Sequence, residues 1–367
     1  MRIGIIYLGR RGSGGPISLE LATHLSQQAS LFALLSEQAE SLAAWQQSGL
    51  ESFCVPTYRN LPGALAAWLN QAGLRRLSGL VRSREPDVLI YPMFYTLNPF
   101  LQAHLAGIPS LVAVHDPVPH PGAADYVFSL LESWSIRQAT RCLLFSQKFV
   151  PDLQQRGVRP ERIDVVPHGE LSYYRRCRQD LEAAPADETT LLFFGRITAY
   201  KGLDVLLKAY AQVSQVHPVK LQLVGAGDIQ PYLPLLKGLA EVEMVNRWVD
   251  ELEVGAYFQR AQIVVLPYTS ASQSGVLAIA AGFAKPVIAT RVGGIPEQIK
   301  DGETGLLVEP NSVEQLAGAI LQLLETPQLG ARLGKNLFDD FQLHRNWAAI
   351  ARVVYSACEK AIQDKDA

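Results

Sequence analysis

The chain has 367 residues, of which 48% are hydrophobic and 19% charged, and its formal net charge is −2. That length exceeds one comfortable core and fits two α/β domains, while the composition excludes a disordered chain. The near-neutral charge argues against a general nucleic-acid binder, although residues 1–180 carry a net +3 and the remainder −5.

In chain order, MRIGIIYLGRRG has too short an apolar core for a signal peptide and reads as a first strand, Arg2–Leu8. Further strands are predicted at Leu31–Leu35, Val88–Pro92, Leu111–His115, Arg141–Ser146 and Ile163–Pro167, with helical spacing over Ser18–Ser26 and Ala64–Glu85. Arg175–Glu188 is charged, aperiodic and contains Pro185, which marks a linker. The pattern then restarts: strand Thr190–Gly195, helix Leu203–Val216, strands Lys220–Val224 and Glu243–Trp248, helix Glu253–Arg260, strand Ile263–Pro267. A helix from about Gly275, a strand Pro286–Thr290 and helices Val313–Leu324 and Trp347–Gln363 complete it. Alternating strands and helices predict parallel βαβ units in two doubly wound domains. The expected division is 1–175, a linker at 176–188, 189–345, and a final helical segment 346–367.

Cys54, Cys142, Cys177 and Cys358 are scattered and form no CxxC pair, so neither a disulfide framework nor a zinc site is expected. No apolar run reaches the ~18 residues of a membrane span. A cytoplasmic protein is the expectation. Ala64–Arg84 joins Trp68 and Leu69 to Arg75, Arg76, Arg82 and Arg84. It reads either as an ordinary α/β helix with a basic outer face or as a peripheral contact with an anionic membrane.

Ligands of open α/β sheets bind beyond the carboxyl ends of strands, so four loops carry the candidate chemistry. Gly9–Gly15 precedes a helix starting near Pro16. Its Gly14 and Gly15 let a ligand approach the backbone, or simply make a tight turn. The GxGxxG spacing fails there and no Gly-Lys-Ser/Thr follows, which excludes a dinucleotide fingerprint and a P-loop. His115-Asp116-Pro-Val-Pro-His120 is a stiff polar loop. His115 there bonds a sugar hydroxyl or stabilises developing charge, or else serves structurally on a backbone carbonyl; His120 is the weaker candidate. Gly195-Arg196 ends a strand, and Lys201-Gly202 opens the next helix. An arginine fork and a mobile lysine at a helix start suit a diphosphate leaving group, whose charge grows as it departs. Ser272-Gln273-Ser274-Gly275-Val276 offers amides and hydroxyls at another helix start, as a second phosphate cradle or as an ordinary N-cap.

Gly14-Gly15, His115-Asp116, Val166-Pro-His-Gly169, Gly195-Arg196-x4-Lys201-Gly202 and Val224-Gly-Ala-Gly-Asp228 come first in a longer ordered set. It continues with Leu266-Pro-Tyr268, Pro286-Val-Ile-Ala-Thr290, Val292-Gly-Gly-Ile-Pro-Glu297 and Asp301-Gly-x2-Gly305-Leu. In this order, spanning nearly the whole chain, these motifs resemble the retaining nucleotide-sugar glycosyltransferases of the GT-B fold, the family 4-like "glycosyl transferases group 1". The resemblance implies two Rossmann-like domains with a cleft between them and metal-independent transfer without a cofactor. The donor would be a UDP- or GDP-linked hexose or deoxyhexose, and the acceptor a glycan or lipid-linked sugar lying mainly against the first domain. That chemistry belongs to cell-wall, exopolysaccharide or glycolipid assembly. It implies Arg196 and Lys201 on the diphosphate, His115 beside the transferred sugar, and Gly14, Gly15, Gly195 and Ser272–Val276 around the donor. Arg247–Val249, including Trp248 and Val249, would lie near the nucleobase, and the last helix would return to the first domain. One departure stands out. The family's two glutamates, eight positions apart, are replaced by Ala271 and Ile279, which removes an expected grip on the ribose.

Other classes fit less well. The missing acids also suit a degenerate nucleotide-sugar-binding protein. Gly225-Ala-Gly227 follows a strand, but Pro231 and Pro234 interrupt the helix an NAD site needs. A sugar-nucleotide epimerase would need clustered carboxylates for proton abstraction, and the sequence shows none.

Overall fold

The computed structural model describes residues 1–120, 126–177 and 189–366. The chain divides into two compact units. One comprises Met1–Val118, Ala124–Pro167 and Trp347–Ala367; the other comprises Pro119–Ala123 and His168–Asn346.

The first unit contains a parallel sheet of β1 (Arg2–Tyr7), β2 (Ser30–Ser36), β3 (Ser52–Val55), β4 (Val88–Tyr91), β5 (Ser110–Val114), β6 (Arg141–Leu144) and β7 (Ile163–Val165). Its order is β3-β2-β1-β4-β5-β6-β7. Ile5 pairs with Ala33 on one side and Ile90 on the other, so chain direction through the sheet reverses between β1 and β4. Central strands such as β4, VLIY, are apolar on both faces because helices cover both. The closing helix Trp347–Asp366 belongs to this unit, buries Ala351, Val354 and Cys358, and is pinned by ion pairs. Arg141 bonds Asp164 at 2.7 Å and Asp364 at 2.6 Å, and Lys360 reaches Asp164 at 3.2 Å.

The second unit contains β8 (Thr190–Phe194), β9 (Lys220–Val224), β10 (Val242–Val245), β11 (Ile263–Leu266), β12 (Val287–Thr290) and β13 (Leu306–Val308). The order β10-β9-β8-β11-β12-β13 reverses between β8 and β11. Its core packs Leu191, Phe193, Leu206, Tyr210, Leu223 and Val265 under the helices Leu203–Val213 and Val313–Glu325. Both units are doubly wound α/β folds, the two Rossmann-like halves of the GT-B architecture.

Several elements differ from the sequence expectation. The edge strand β3, the short β13 and the helix Pro327–His344 were not anticipated. Within that helix Gly334 packs so closely that a Cβ would lie 2.2 Å from the Ala284 carbonyl oxygen. The single helix expected over Ala64–Glu85 is two, Leu61–Leu69 and Gln71–Arg82. The second is capped by Asn70, whose Oδ1 accepts the Gly73 N–H at 2.9 Å. β10 stops at Val245 because Asn246 turns to bond the Gly227 backbone through both side-chain atoms, each at 3.1 Å. The boundary between units falls at Pro167, ahead of the expected residue 175. Leu171 N donates to Ala278 O at 3.2 Å, and a Cβ on Gly282 would meet the Ser172 backbone, so this segment packs on the second unit. Most of the expected linker, 178–188, lies outside the described residues.

Candidate functional site

In the second unit the carboxyl ends of β8 and β11 flank the strand-order reversal, where an open sheet leaves a crevice. Gly195 leaves β8 with φ +119, and its N–H bonds Val224 O at 2.9 Å. The neighbouring Gly225, φ +142, lies so close that a Cβ would sit 1.9 Å from Gly195 O. Only glycine permits that backbone-on-backbone contact. The turn continues through Arg196, which is exposed and lies 3.5 Å from the Tyr200 hydroxyl through its guanidinium. It closes at Gly202, φ +67, where a Cβ would overlap the Pro267 carbonyl oxygen at 1.9 Å. The loop after β8 is thereby pressed onto the loop after β11. Thr269 N bonds Tyr200 O at 2.8 Å, and Lys201 Nζ stands 3.8 Å over the Tyr268 ring.

The second loop leads into the helix Gly275–Gly282. Ser274 is its N-cap: its hydroxyl accepts the Leu277 N–H at 3.2 Å, and its backbone is held by Gln298 at 2.8 Å. The ordinary capping role therefore belongs to Ser274. Ser272 differs, because its hydroxyl is buried with no hydrogen-bond partner among the described residues, as is Gln273 Oε1. Such buried polar atoms are costly unless a ligand or water satisfies them. Gly275 and Val276 occupy the first helical turn, and a Cβ on Gly195 would lie 3.7 Å from Val276 Cγ2. Gly195, Arg196, Lys201 and Ser272–Val276 thus form one cluster. Gly293, φ +52, braces it, since a Cβ there would overlap Ala271 O.

Ala271 and Ile279 are both buried apolar side chains, each 4% exposed, so no carboxylate stands at either place. After β10, Val249 is buried and Trp248 half-buried. The Arg247 guanidinium is held by both Glu253 oxygens, at 2.9 and 2.6 Å. His120, expected to matter less than His115, falls in this unit. It stacks on Tyr200 at 4.4 Å and reaches Ser270 Oγ at 3.0 Å. Tyr200, Tyr268 and Gln298 were missed as site residues. Tyr268 stood inside a quoted motif, whereas nothing local to Gln298 signals that it will clamp Ser274.

In the first unit Gly14 and Gly15 lie in the first turn of the helix Gly14–Leu25, which therefore starts two residues before the expected Pro16. A Cβ on Gly14 would meet Tyr7 at 3.0 Å and Met93 at 3.2 Å, and the Ser18 hydroxyl bonds Gly14 O at 2.6 Å. His115 follows β5, stacks on Phe145 at 4.4 Å and donates Nε2–H to Pro92 O at 2.9 Å. Burial holds its pKa below the ordinary histidine value, partly offset by that bond and by Asp116. The ring is therefore neutral near pH 7 with Nδ1 as an acceptor. This favours bonding a hydroxyl over supplying positive charge. Pro92–Met93 is the segment that joins Gly14 to His115.

Among the described residues no three His, Cys, Asp or Glu side chains are grouped to hold a metal ion, and no helix is long and apolar enough to cross a membrane. None of Cys54, Cys142, Cys177 and Cys358 is in a disulfide.

Two family models match the chain: the glycosyl transferase 4-like domain over residues 15–169 and glycosyl transferases group 1 over 188–326. D-inositol 3-phosphate glycosyltransferase 2 of Catenulispora acidiphila is 29% identical over 57% of this chain and 53% of its own length. Alpha-D-kanosaminyltransferase of Streptomyces kanamyceticus is 24% identical over 76% of this chain and 78% of its own. The chain spans about half the length of the inositol-phosphate transferases that it matches. Anabaena HepE in complex with UDP-glucose has the same fold, with a TM-score of 0.74, 17% identity, and coverage of 98% of this chain and 100% of that one. The chain belongs to the group 1 glycosyltransferases, with a 4-like domain at its N-terminal end.

Proposed function

We propose that this protein transfers a hexosyl or deoxyhexosyl group from a UDP- or GDP-sugar to a glycan or lipid-linked acceptor, with retention of configuration and without a metal or other cofactor. The observation that carries the reading is the cluster at the β8–β11 reversal. An arginine, a lysine and a helix N-terminus converge there beside buried polar atoms that lack partners among the described residues. Arg196 and Lys201 hold the diphosphate and offset the charge that grows on it as the bond to the sugar breaks. Ser272, Gln273 and the N–H groups of Gly275 and Val276 complete the phosphate cradle, and Trp248 and Val249 border the nucleobase. His115, neutral, accepts a hydroxyl of the transferred sugar, and Gly14 and Gly15 keep the backbone open beside it. The HepE complexes with UDP and UDP-glucose support a uridine nucleotide first among donors. The setting is cytoplasmic, at the inner face of the membrane where the acceptor is lipid-linked, in cell-wall, exopolysaccharide or glycolipid assembly.

A calorimetric screen of UDP- and GDP-sugars, followed by a transfer assay with the donor that binds, tests this. Submillimolar binding that Lys201→Ala weakens is expected. Full binding and turnover in both Arg196→Ala and Lys201→Ala would refute the phosphate role. Ala271 and Ile279 favour a second reading, a nucleotide-sugar-binding protein without catalysis. Tight binding with neither hydrolysis nor transfer would select it.

A further inference from the structure

The helix Leu61–Leu69, LPGALAAWL, carries no polar side chain. Ala64 is buried, and Trp68 turns inward to stack on Phe100 at 5.7 Å. That leaves an outer face of Leu65, 48% exposed, and Leu69, 78% exposed, where a surface helix ordinarily presents polar residues. Phe100 also packs edge-on against Trp134 of the helix Tyr126–Gln138. The start of that second helix exposes Tyr126 at 82%, Val127 at 53% and Leu130 at 69%. Both helices therefore pack onto one aromatic stack within the first unit.

Charge selects the occupant. Between Glu51 and Glu85 the chain has no acidic residue and five arginines. Arg82 donates to the carbonyls of His104 and Ala106, and Arg84 pairs with Glu51 over the Phe53 ring, so neither is available. Arg59, Arg75 and Arg76 are exposed. Two copies of this chain meeting here would bring like charges together. An anionic lipid surface takes up both the apolar side chains and the arginines. We infer that Leu65, Leu69, Tyr126, Val127 and Leu130, edged by Arg75 and Arg76, form a docking surface for an anionic bilayer. This deepens the reading of a transferase serving a lipid-linked acceptor, and it replaces Trp68, Arg82 and Arg84 as the expected contact residues.

The test is cosedimentation of the full chain with phosphatidylcholine vesicles, with and without phosphatidylglycerol, at low and high salt. Binding should require phosphatidylglycerol and weaken with salt. Arg75→Gln with Arg76→Gln should reduce it about thirtyfold, and Leu65→Ser with Leu69→Ser at least ~tenfold. Arg332→Gln, an exposed charge of the second unit, should change nothing. Failure of the wild type to bind anionic vesicles would overturn the inference, as would wild-type binding by both double variants. So would a concentration-dependent dimer, seen by light scattering, that Leu65→Ser with Leu69→Ser abolishes. UDP-sugar calorimetry on the same preparations separates the two readings: vesicle binding without nucleotide binding removes the transferase and leaves the surface.

Discussion

Lys201 holds its ammonium 3.8 Å over the ring of Tyr268, which is wholly buried at the end of β11. The ring fixes where the charge sits, and a cation–π contact out of water contributes ~1–2 kcal/mol to that placement. Lys201→Ala and Arg196→Ala should each lower kcat by about 10²–10³ in steady-state assays. Tyr268→Phe keeps the ring and should stay within a few-fold of wild type. Tyr268→Leu should lose activity in kcat more than in KM, because the lysine loses its platform.

Ser272 and Ser274 should behave oppositely. Ser274→Ala removes an N-cap and should cost ~1 kcal/mol of stability, read from the thermal unfolding of the second unit. Ser272→Ala removes a buried hydroxyl with no partner among the described residues, so stability should hold or rise slightly. Its nucleotide-sugar affinity should nevertheless fall about tenfold, the worth of one lost hydrogen bond to a charged group.

Gly202→Ala tests how the two loops are locked together. The substitution forces a left-handed conformation and drives Cβ into Pro267 O, 1.9 Å away. A loss of ~3 kcal/mol or more is expected, measured by urea unfolding, with Ala→Gly reversion restoring it.

His115 makes a prediction about pH. Its pKa is lowered by burial, so the unfolded chain binds more protons than the native one once pH falls below ~6.5. The stability held by the neutral ring is therefore complete above that pH and lost as pH falls through the native pKa. His115→Gln should flatten the acid limb of a stability–pH profile, and a carbon-resolved NMR titration should place the His115 midpoint below 6.5.

Arg141 sits in a buried pair with Asp164, both under a tenth exposed, while Asp364 is 39% exposed. Arg141→Ala leaves the buried Asp164 carboxylate with Lys360 as its remaining cation and should cost ~3 kcal/mol. Asp364→Asn should cost under ~1 kcal/mol, because its charge is partly solvated. Chemical unfolding followed by the first unit's tryptophans distinguishes the two.

The sequence alone determined the βαβ alternation, the two-domain organisation and the polar loops, because those signals are local. β9 was read to the residue as Lys220–Val224, since an apolar strand bounded by polar turns announces itself within five positions. Gly195-Arg196 and Lys201-Gly202 stood out in the same way. Tertiary structure alone decided what those residues meet. Gly334 is needed where the helix meets the Ala284 backbone, and Gln298 gains its role by reaching Ser274 across 24 residues. It also turned Trp68 inward and left Leu65 and Leu69 outside, a choice that helical spacing cannot make when every residue of the helix is apolar. Which loops lie side by side depends on the strand order at the β8–β11 reversal. That order is settled by long-range packing, which no short stretch of chain encodes.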